Sequence, residues 1–338
     1  MPATAAPQIW ALSDDRIGMV NQVVGLCERL EASFGITWQH KIVTVTGFGK
    51  IWPTGLQAFL PLHLTRPSRA ALAAPLPDMV IGCGRSMIPL LLRFKRLGVK
   101  TVYLQDPRIQ PSHFDLVIAP DHDKVSGPNV IKTIGSIHRV TPERLAAEIP
   151  TIHAAKLGAL GQPRLGVLIG GDNNHLALTE TRAAEIAARL SNLARCHGYS
   201  LMVTASRRTS PAALTILRQT LEDIADCYFW DATGANPYFD ILNHADMLIV
   251  TEDSVNMASE AAATGKPVFI CELERKRRLK GLLPPRRALK FDQFHKALLL
   301  YGVARPLPPS GPLVHWDYLP LDPAGEALPT IAALLPTK

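Results

Sequence analysis

One local pattern recurs along the chain and constrains its fold more than any other feature. A short apolar run rich in β-branched residues is followed by a polar turn and then by a helix of 3.6-residue period. The fullest copy runs from Met247 to Ile270. Met247-Leu-Ile-Val250 suits a strand buried on both faces. Thr251-Glu252-Asp253 is a polar turn. Asp253 or Ser254 is placed to cap the following helix, because a short oxygen-bearing side chain takes an orphan first-turn amide. Val255, Ala258, Ala261 and Ala262 fall on one helical face. Gly265 suits the left-handed residue that ends a helix, and Pro267 precedes the next strand. This is a βαβ unit, and such crossovers make neighbouring strands parallel.

The first half carries the same pattern. Ile9-Trp-Ala-Leu12 reads as a strand, Ser13 to Gly18 as a polar turn, and a helix follows with Val20, Val23, Val24, Cys27 and Leu30 on one face. Asn21 and Gln22 lie in its first turn. With a single glycine, this turn is no dinucleotide fingerprint. Ile42-Val-Thr-Val45 reads as the next strand. The stretch from Asp78 to Ser86 holds another, a buried strand ending in Gly82 and Gly84, which let a ligand approach the backbone. Arg85 and Ser86 follow, and an Arg beside glycines at a helix start suits an anion or a substrate. Thr101 to Leu104 ends in Gln105-Asp106-Pro107-Arg108, and Leu116 to Ala119 ends in Pro120-Asp-His-Asp123. In a parallel sheet all these strand ends share one edge, where ligands bind. Asp14, Arg85, Gln105, Asp106 and His122 are therefore expected at one cleft.

Pro142 to Gln162 is helical in pattern and breaks at Gly158, Gly161 and Pro163, so a linker is expected there. The pattern then restarts. Leu165 to Ile169 ends in Gly170-Gly171, with Asp172-Asn173-Asn174-His175 beyond. Leu201 to Thr204 is closed by Ala205-Ser206-Arg207-Arg208-Thr209. Ser206 and Thr209 offer hydroxyls to a diphosphate, and Arg207 or Arg208 offers charge. Three regions are expected: 1–150 and 151–310 as two doubly wound domains, and 311–338 as a tail returning toward the first. The fold class is α/β, with two mostly parallel sheets facing a central cleft.

The chain has 338 residues, 47% of them apolar, and a formal charge of +7. That charge favours an anionic partner such as nucleotide phosphates or an acidic membrane face. No nucleic-acid motif accompanies it, so nucleic acid is not expected. The five scattered cysteines, with no Cys-x-x-Cys, read as reduced thiols in a cytoplasmic protein. No transmembrane run and no secretory leader are read. Gly47 to Arg66, apolar and aromatic with basic flanks, and the run Glu272 to Lys280 are the two stretches suited to peripheral contact with the inner face of a cytoplasmic membrane.

Several stretches together carry a family resemblance. They are Trp10 to Gly18 with Asn21-Gln22, Gly82-Cys-Gly-Arg85, Leu104 to Arg108 with Phe114 to His122, Gly127-Pro-Asn129, Thr204 to Arg208, Asn236-Pro-Tyr238, and Thr251 to Ser254 through Gly265-Lys-Pro267. In this order the chain resembles the bacterial and plant family named for the "elongated mitochondria" fission protein, whose members look like GT-B glycosyltransferases. Its second half is also similar in plan to the peptidoglycan N-acetylglucosaminyl transferase, with Gly170-Gly171 at the first turn and Glu260 before Gly-Lys-Pro. That enzyme's first-domain glycine turn ends in a histidine, whereas here Gly18 is followed by Met19. The same base does not carry over.

The resemblance implies a transferase that needs no metal or bound cofactor and takes a UDP-type nucleotide-sugar as donor. Gly170, Gly171, Asn173, Ser206, Arg207, Arg208, Asp253, Ser254 and Met257 would lie at the nucleotide, with Glu252 or Glu260 on ribose or sugar hydroxyls. Gly18, Asn21, Gln22, Gly82, Gly84, Arg85, Gln105 and Arg108 would hold an acceptor, for instance a lipid-linked sugar. Asp14, Asp106 and His122 are the candidate bases. Two other readings stand beside this one. One is a binding or adaptor protein with a protein partner, since plant members are implicated in recruiting a dynamin-related protein. The other is a nucleotide-sugar epimerase.

Overall fold

The computed structural model describes residues 6–46, 64–73, 75–147, 153–230, 232–276 and 288–336. The chain divides into two units, Met1–Arg139 with Asp322–Lys338, and Val140–Leu321. The segment 47–63, the core of the suggested membrane excursion, and residues 277–280 of the basic run lie outside the described residues.

The first unit runs β1 (Gln8–Ser13), α1 (Ile17–Phe34), β2 (Thr37–Ile42), α2 (Arg66–Ala71), β3 (Met79–Cys83), α3 (Ile88–Arg96), β4 (Lys100–Leu104), β5 (Leu116–Pro120) and β6 (Val130–Thr133). All strands are parallel, in the order β2-β1-β3-β4-β5-β6. The unbroken apolar runs become the central strands because both faces are covered. On one face Val23, Leu26, Cys27 and Leu30 of α1 pack on Ile9, Ala11, Met79 and Ile81. On the other, Leu90, Leu91 and Phe94 of α3 pack on Trp10, Leu12 and Val80.

The second strand differs from the expectation of Ile42–Val45. It is Thr37–Ile42, an edge strand that keeps one side in solvent, so its sequence Thr-Trp-Gln-His-Lys-Ile reads as polar. The apolar run that follows leaves the register. Val43 N–H donates to Ser13 O, and Val45 pairs with Leu64.

The second unit opens with two short helices, α4 (Pro142–Ala146) and α5 (Ala154–Gly158), in the stretch 142–162 that reads as helical and as a linker. Then come β7 (Arg164–Ile169), β8 (Leu176–Ala177), α6 (Glu180–His197), β9 (Ser200–Ala205), α7 (Pro211–Leu221), β10 (Cys227–Phe229), α8 (Tyr238–His244), β11 (Met247–Thr251), α9 (Val255–Ala262), β12 (Val268–Cys271), β13 (Glu274–Arg275), α10 (Ala288–Leu300) and β14 (Ala304–Pro306). The main sheet is again parallel, in the order β10-β9-β7-β11-β12-β14. The short strands β8 and β13 pair antiparallel as a separate two-stranded sheet. The chain then returns to the first unit as α11 (Pro323–Ala332). There Ala324, Ala327 and Ile331 join the core under α1, and Arg29 pairs with Asp322 at 2.5 Å.

Each sheet has one point where the strand order reverses, between β1 and β3 in the first and between β7 and β11 in the second. At such a point two neighbouring strands send their helices to opposite faces. The loops at their carboxyl ends diverge and leave a crevice.

Candidate functional site

In the second unit the crevice is bounded by Gly170-Gly171 after β7 and Thr251 to Ser254 after β11. Their backbones are locked together. Gly170 N–H donates to Thr251 Oγ1 (2.7 Å), Thr251 O–H donates to Asp253 Oδ1 (2.7 Å), and Gly171 N–H donates to Asp253 Oδ2 (3.1 Å). The loop after β9 joins them. Arg208 contacts Asp253 Oδ2 at 2.7 Å, and the Thr209 hydroxyl donates to Gly170 O. Asn173 Nδ2 donates to Asp253 O (3.2 Å), while its Oδ1 accepts from His175 and Leu176 N–H. Ser206 N–H donates to Ile169 O, and its hydroxyl accepts from Arg208 N–H.

This geometry corrects the expected role of Asp253. Its side chain is fully buried and is spent on the turn, so it holds the loops and does not face a ligand. The Gly170 and Gly171 amides are likewise engaged internally. Burial pushes the Asp253 carboxyl above its usual range, against the pull of Thr251, Arg208 and the Gly171 N–H. Ser254 is the cap of α9, its hydroxyl accepting from Met257 N–H (3.3 Å). Met257 is half-buried in that first turn, and Arg207 is exposed in the neighbouring loop.

The two glutamates are also buried, 6% exposed for Glu252 and 4% for Glu260, so neither is the plain surface carboxylate that a turn of this kind often carries. Glu252 Oε1 accepts from Leu273 N–H (2.8 Å), and its backbone carbonyl accepts from His295 Nε2 (2.8 Å). Burial raises the Glu252 carboxyl, while the Leu273 N–H and the Arg275 charge oppose the rise. Arg275 lies 3.8 Å away and pairs more closely with Asp292 (2.6 Å). Glu260 Oε2 accepts from the Tyr238 hydroxyl at 2.5 Å. Burial and the Glu260 charge push that phenol well above its ordinary range, so it stays a donor.

In the first unit the crevice between β1 and β3 holds Asp14, Arg16, Gly84, Arg85 and Ser86. Asp14 accepts from Arg16 Nε (3.0 Å) and Nη2 (2.6 Å), and Ser86 Oγ lies 3.5 Å from it. Burial pushes the Asp14 carboxyl up, but the Arg16 hydrogen bonds and charge outweigh that and hold it below its usual range. An acid so held is a weak base, which counts against Asp14 as the proton acceptor. Gly84 adopts a φ of 95°, which only glycine takes cheaply. Arg85 is exposed beside it. Gly82, by contrast, is a packing glycine. A Cβ there would lie 2.5 Å from Leu91 Cδ1, so it admits α3 and not a ligand.

Gln105 (φ 86°) and Arg108 (φ 58°) are non-glycine residues with left-handed backbone in one loop after β4. Such outliers gather where function over-determines the backbone. Gln105 Nε2 donates to Gln22 Oε1 (3.2 Å), and Gln22, buried on α1, donates to Gly18 O (3.1 Å). Asn21, beside Gln22, is half-buried. Asp106 accepts from Arg108 N–H (2.8 Å), and its own N–H donates to Asp123 Oδ2 (3.2 Å). His122 sits half-buried in the turn after β5, between Asp121 and Asp123. Those two carboxylates have Asp-x-Asp spacing, which corrects the expectation that the chain carries no such pair. No cluster of three metal-ligating side chains is found among the described residues. The structure therefore groups Asp14 with Arg16 and Ser86, and Gln105 with Gln22. It ties Asp106 to Asp123.

Sequence reasoning missed Thr251, Tyr238 and Arg16 as parts of these sites. Tyr238 stood in a motif, Asn236-Pro-Tyr238, but no spacing rule links it to Glu260, 22 residues away.

The chain is similar to uncharacterized protein RP120 of Rickettsia prowazekii (strain Madrid E), at 28% identity over 297 residues, 78% of this chain and 82% of that one. It is 27% identical over 278 residues to mitochondrial fission protein ELM1 of Arabidopsis thaliana. That match takes in 74% of this chain and 62% of the plant protein, so the chain spans less than two thirds of that relative. Among solved structures, UDP-GlcNAc 2-epimerase from Methanocaldococcus jannaschii superposes with a TM-score of 0.57 at 11% identity, over 98% of this chain and 93% of that one. A glycotransferase of kitacinnamycin gives 0.52 at 12%, over 98% and 90%. At such identities the likeness shows the fold alone, which is GT-B-like. The model of the mitochondrial fission ELM1 family matches residues 17–335, and the chain belongs to that family.

Proposed function

We propose that the protein is a GT-B-type glycosyltransferase that takes a nucleoside-diphosphate sugar on its second unit and transfers the sugar to an acceptor hydroxyl held by its first. The observation that carries this reading is the crevice between β7 and β11. Three strand-end loops are fixed there by buried Thr251 and Asp253, with the start of α9 and exposed Arg207 beside them. Helix-start amides and an arginine suit a diphosphate and stabilise it as it leaves. Of the two glutamates, Glu260 is the better hydroxyl acceptor. Its carboxylate is oriented by a side-chain donor, whereas Glu252 is committed to the Leu273 amide. The first unit supplies the base, and Asp106 and His122 stay candidates there because Asp14 is held by Arg16.

A second reading, a binding or adaptor protein on the same fold, is favoured by that Asp14–Arg16 pair, which ties up one of the three candidate bases. The plant relative's name, a mitochondrial fission protein, points the same way.

The deciding experiment is thermal unfolding against a panel of uridine, guanosine, adenosine and thymidine diphosphate sugars and the free nucleotides. A ligand of the native state raises the midpoint with the logarithm of its concentration over Kd. We expect one nucleotide family to do so, followed by donor turnover that depends on an acceptor. No shift with any of them overturns the transferase reading. Turnover without acceptor would point to epimerisation or hydrolysis.

A further inference from the structure

Large apolar side chains exposed singly on a surface need no explanation, but a group of them does. One group lies where α10 turns into β14. Leu300 is 87% exposed, Tyr301 63% and Leu299 40%. Gly302, at a φ of 70°, reverses the chain there. The later stretch 313–318 lies against the same turn, since the Trp316 indole N–H donates to Gly302 O (2.8 Å). Val314, two residues earlier, is 62% exposed. None of these residues belongs to the crevices described above.

Two cations, Lys296 and Arg305, lie beside the group. Lys296 is exposed and lies one turn before Leu300, on the same helical face. The Arg305 guanidinium rests over the Trp316 ring, 4.2 Å from its centroid. His315 is exposed next to Val314, with the carboxylate of Asp317 4.0 Å from it.

We propose that this turn is a docking surface for an anionic phospholipid bilayer. Leu299, Leu300 and Tyr301 would enter the boundary between headgroups and acyl chains, and Lys296 and Arg305 would meet lipid phosphates, Arg305 resting on a Trp316 that packs on Phe269. The size of the group favours a bilayer over a protein. A stable protein interface takes roughly 800 Å² and 20–30 residues from each partner, whereas a bilayer needs only a few projecting apolar and aromatic side chains with basic neighbours. Charge agrees, since the chain carries +7 and Lys296 and Arg305 outnumber the Asp317 carboxylate beside the turn.

The test is co-sedimentation of the full chain with vesicles of phosphatidylcholine alone and of an equal mixture with phosphatidylglycerol, at low and high salt. The wild type and a Leu300→Asp/Tyr301→Asp double variant are compared. The exposed positions should leave the thermal midpoint unchanged. If the double variant does not fold, Leu300→Ser alone takes its place. We expect binding to the mixed vesicles only, weakened by salt, and reduced roughly tenfold or more in the variant. No binding by the wild type overturns the proposal, as does equal binding by a folded variant. Sedimentation velocity without lipid gives a third arm. Self-association that the variant abolishes would make the turn a contact between copies of the chain and would equally overturn it.

Discussion

Gly170 and Asp253 approach so closely that a Cβ on the glycine would fall 2.0 Å from the carboxylate oxygen Oδ1. The contact joins the loop after β7 to the loop after β11, and it explains why the turn is glycine. What the glycine admits is a side chain from the next loop, so the Gly-Gly turn works first as a joint.

Gly170→Ala should therefore disturb the joint itself. Asp253 is fully buried and cannot swing into solvent, so the loops must part. A cost of about 2–3 kcal/mol is expected, with nucleotide binding lost in parallel. Urea unfolding of the variant checks it. A stability equal to the wild type would mean that the two loops are not in contact.

Arg207 and Arg208 are neighbours in sequence with opposite expected behaviour. Arg208 neutralises buried Asp253, so Arg208→Ala should destabilise the fold by about 1–2 kcal/mol, discounted for the exposure of the guanidinium. Arg207 is exposed, and Arg207→Ala should change stability by less than about 0.5 kcal/mol. On the transferase reading it should weaken diphosphate binding roughly tenfold. Calorimetry with the nucleotide found in the unfolding panel, run beside urea curves, separates the two effects.

Much of this was legible in the sequence, for a physical reason. A strand buried on both faces must be apolar throughout, so β1, β3, β5, β7 and β11 announce themselves, and a polar cluster right after such a run has to lie at the ligand edge. Edge strand β2 is half solvated, so the apolar Ile42–Val45 misled. Single-residue spacing shows that Glu252, Asp253 and Glu260 stand at one strand end and the helix that follows it. Only packing reveals that Asp253 serves the joint, that Glu260 meets Tyr238 and that Gly82 makes room for Leu91. Asp253 and Glu260 meet partners distant in sequence, and even Gly82 and Leu91 meet only once α3 folds back on β3.

Tyr238→Phe removes the phenol that donates to Glu260 while keeping the ring. A buried carboxylate that loses a charge-assisted donor is less stable by about 1–2 kcal/mol. If Glu260 takes ligand hydroxyls, the variant should also lose preference for a ribonucleotide over its 2′-deoxy analogue. Glu260→Gln should lose it too. An unchanged preference in both variants would place ribose recognition elsewhere.

Lys266 ties the end of α8 to the loop after α9. Its Nζ donates to Leu242 O (2.7 Å) and to Asn243 O, and burial lowers its pKa to about 8 against the pull of Asp246. An unfolded lysine titrates near about 10.4. Between these values the unfolded chain holds a proton that the folded chain has released. Stability therefore rises with pH across this window through this group, and the buried charge is a cost below it. Lys266→Met removes the group. The difference in unfolding free energy between wild type and variant should then move in the wild type's favour from pH about 8 to about 10. Urea curves at several pH values measure it, with the other titrating groups common to both proteins. A difference that stays flat across the window would mean that Lys266 keeps its ordinary proton affinity and that the α8 carbonyls are capped by a fully solvated ammonium.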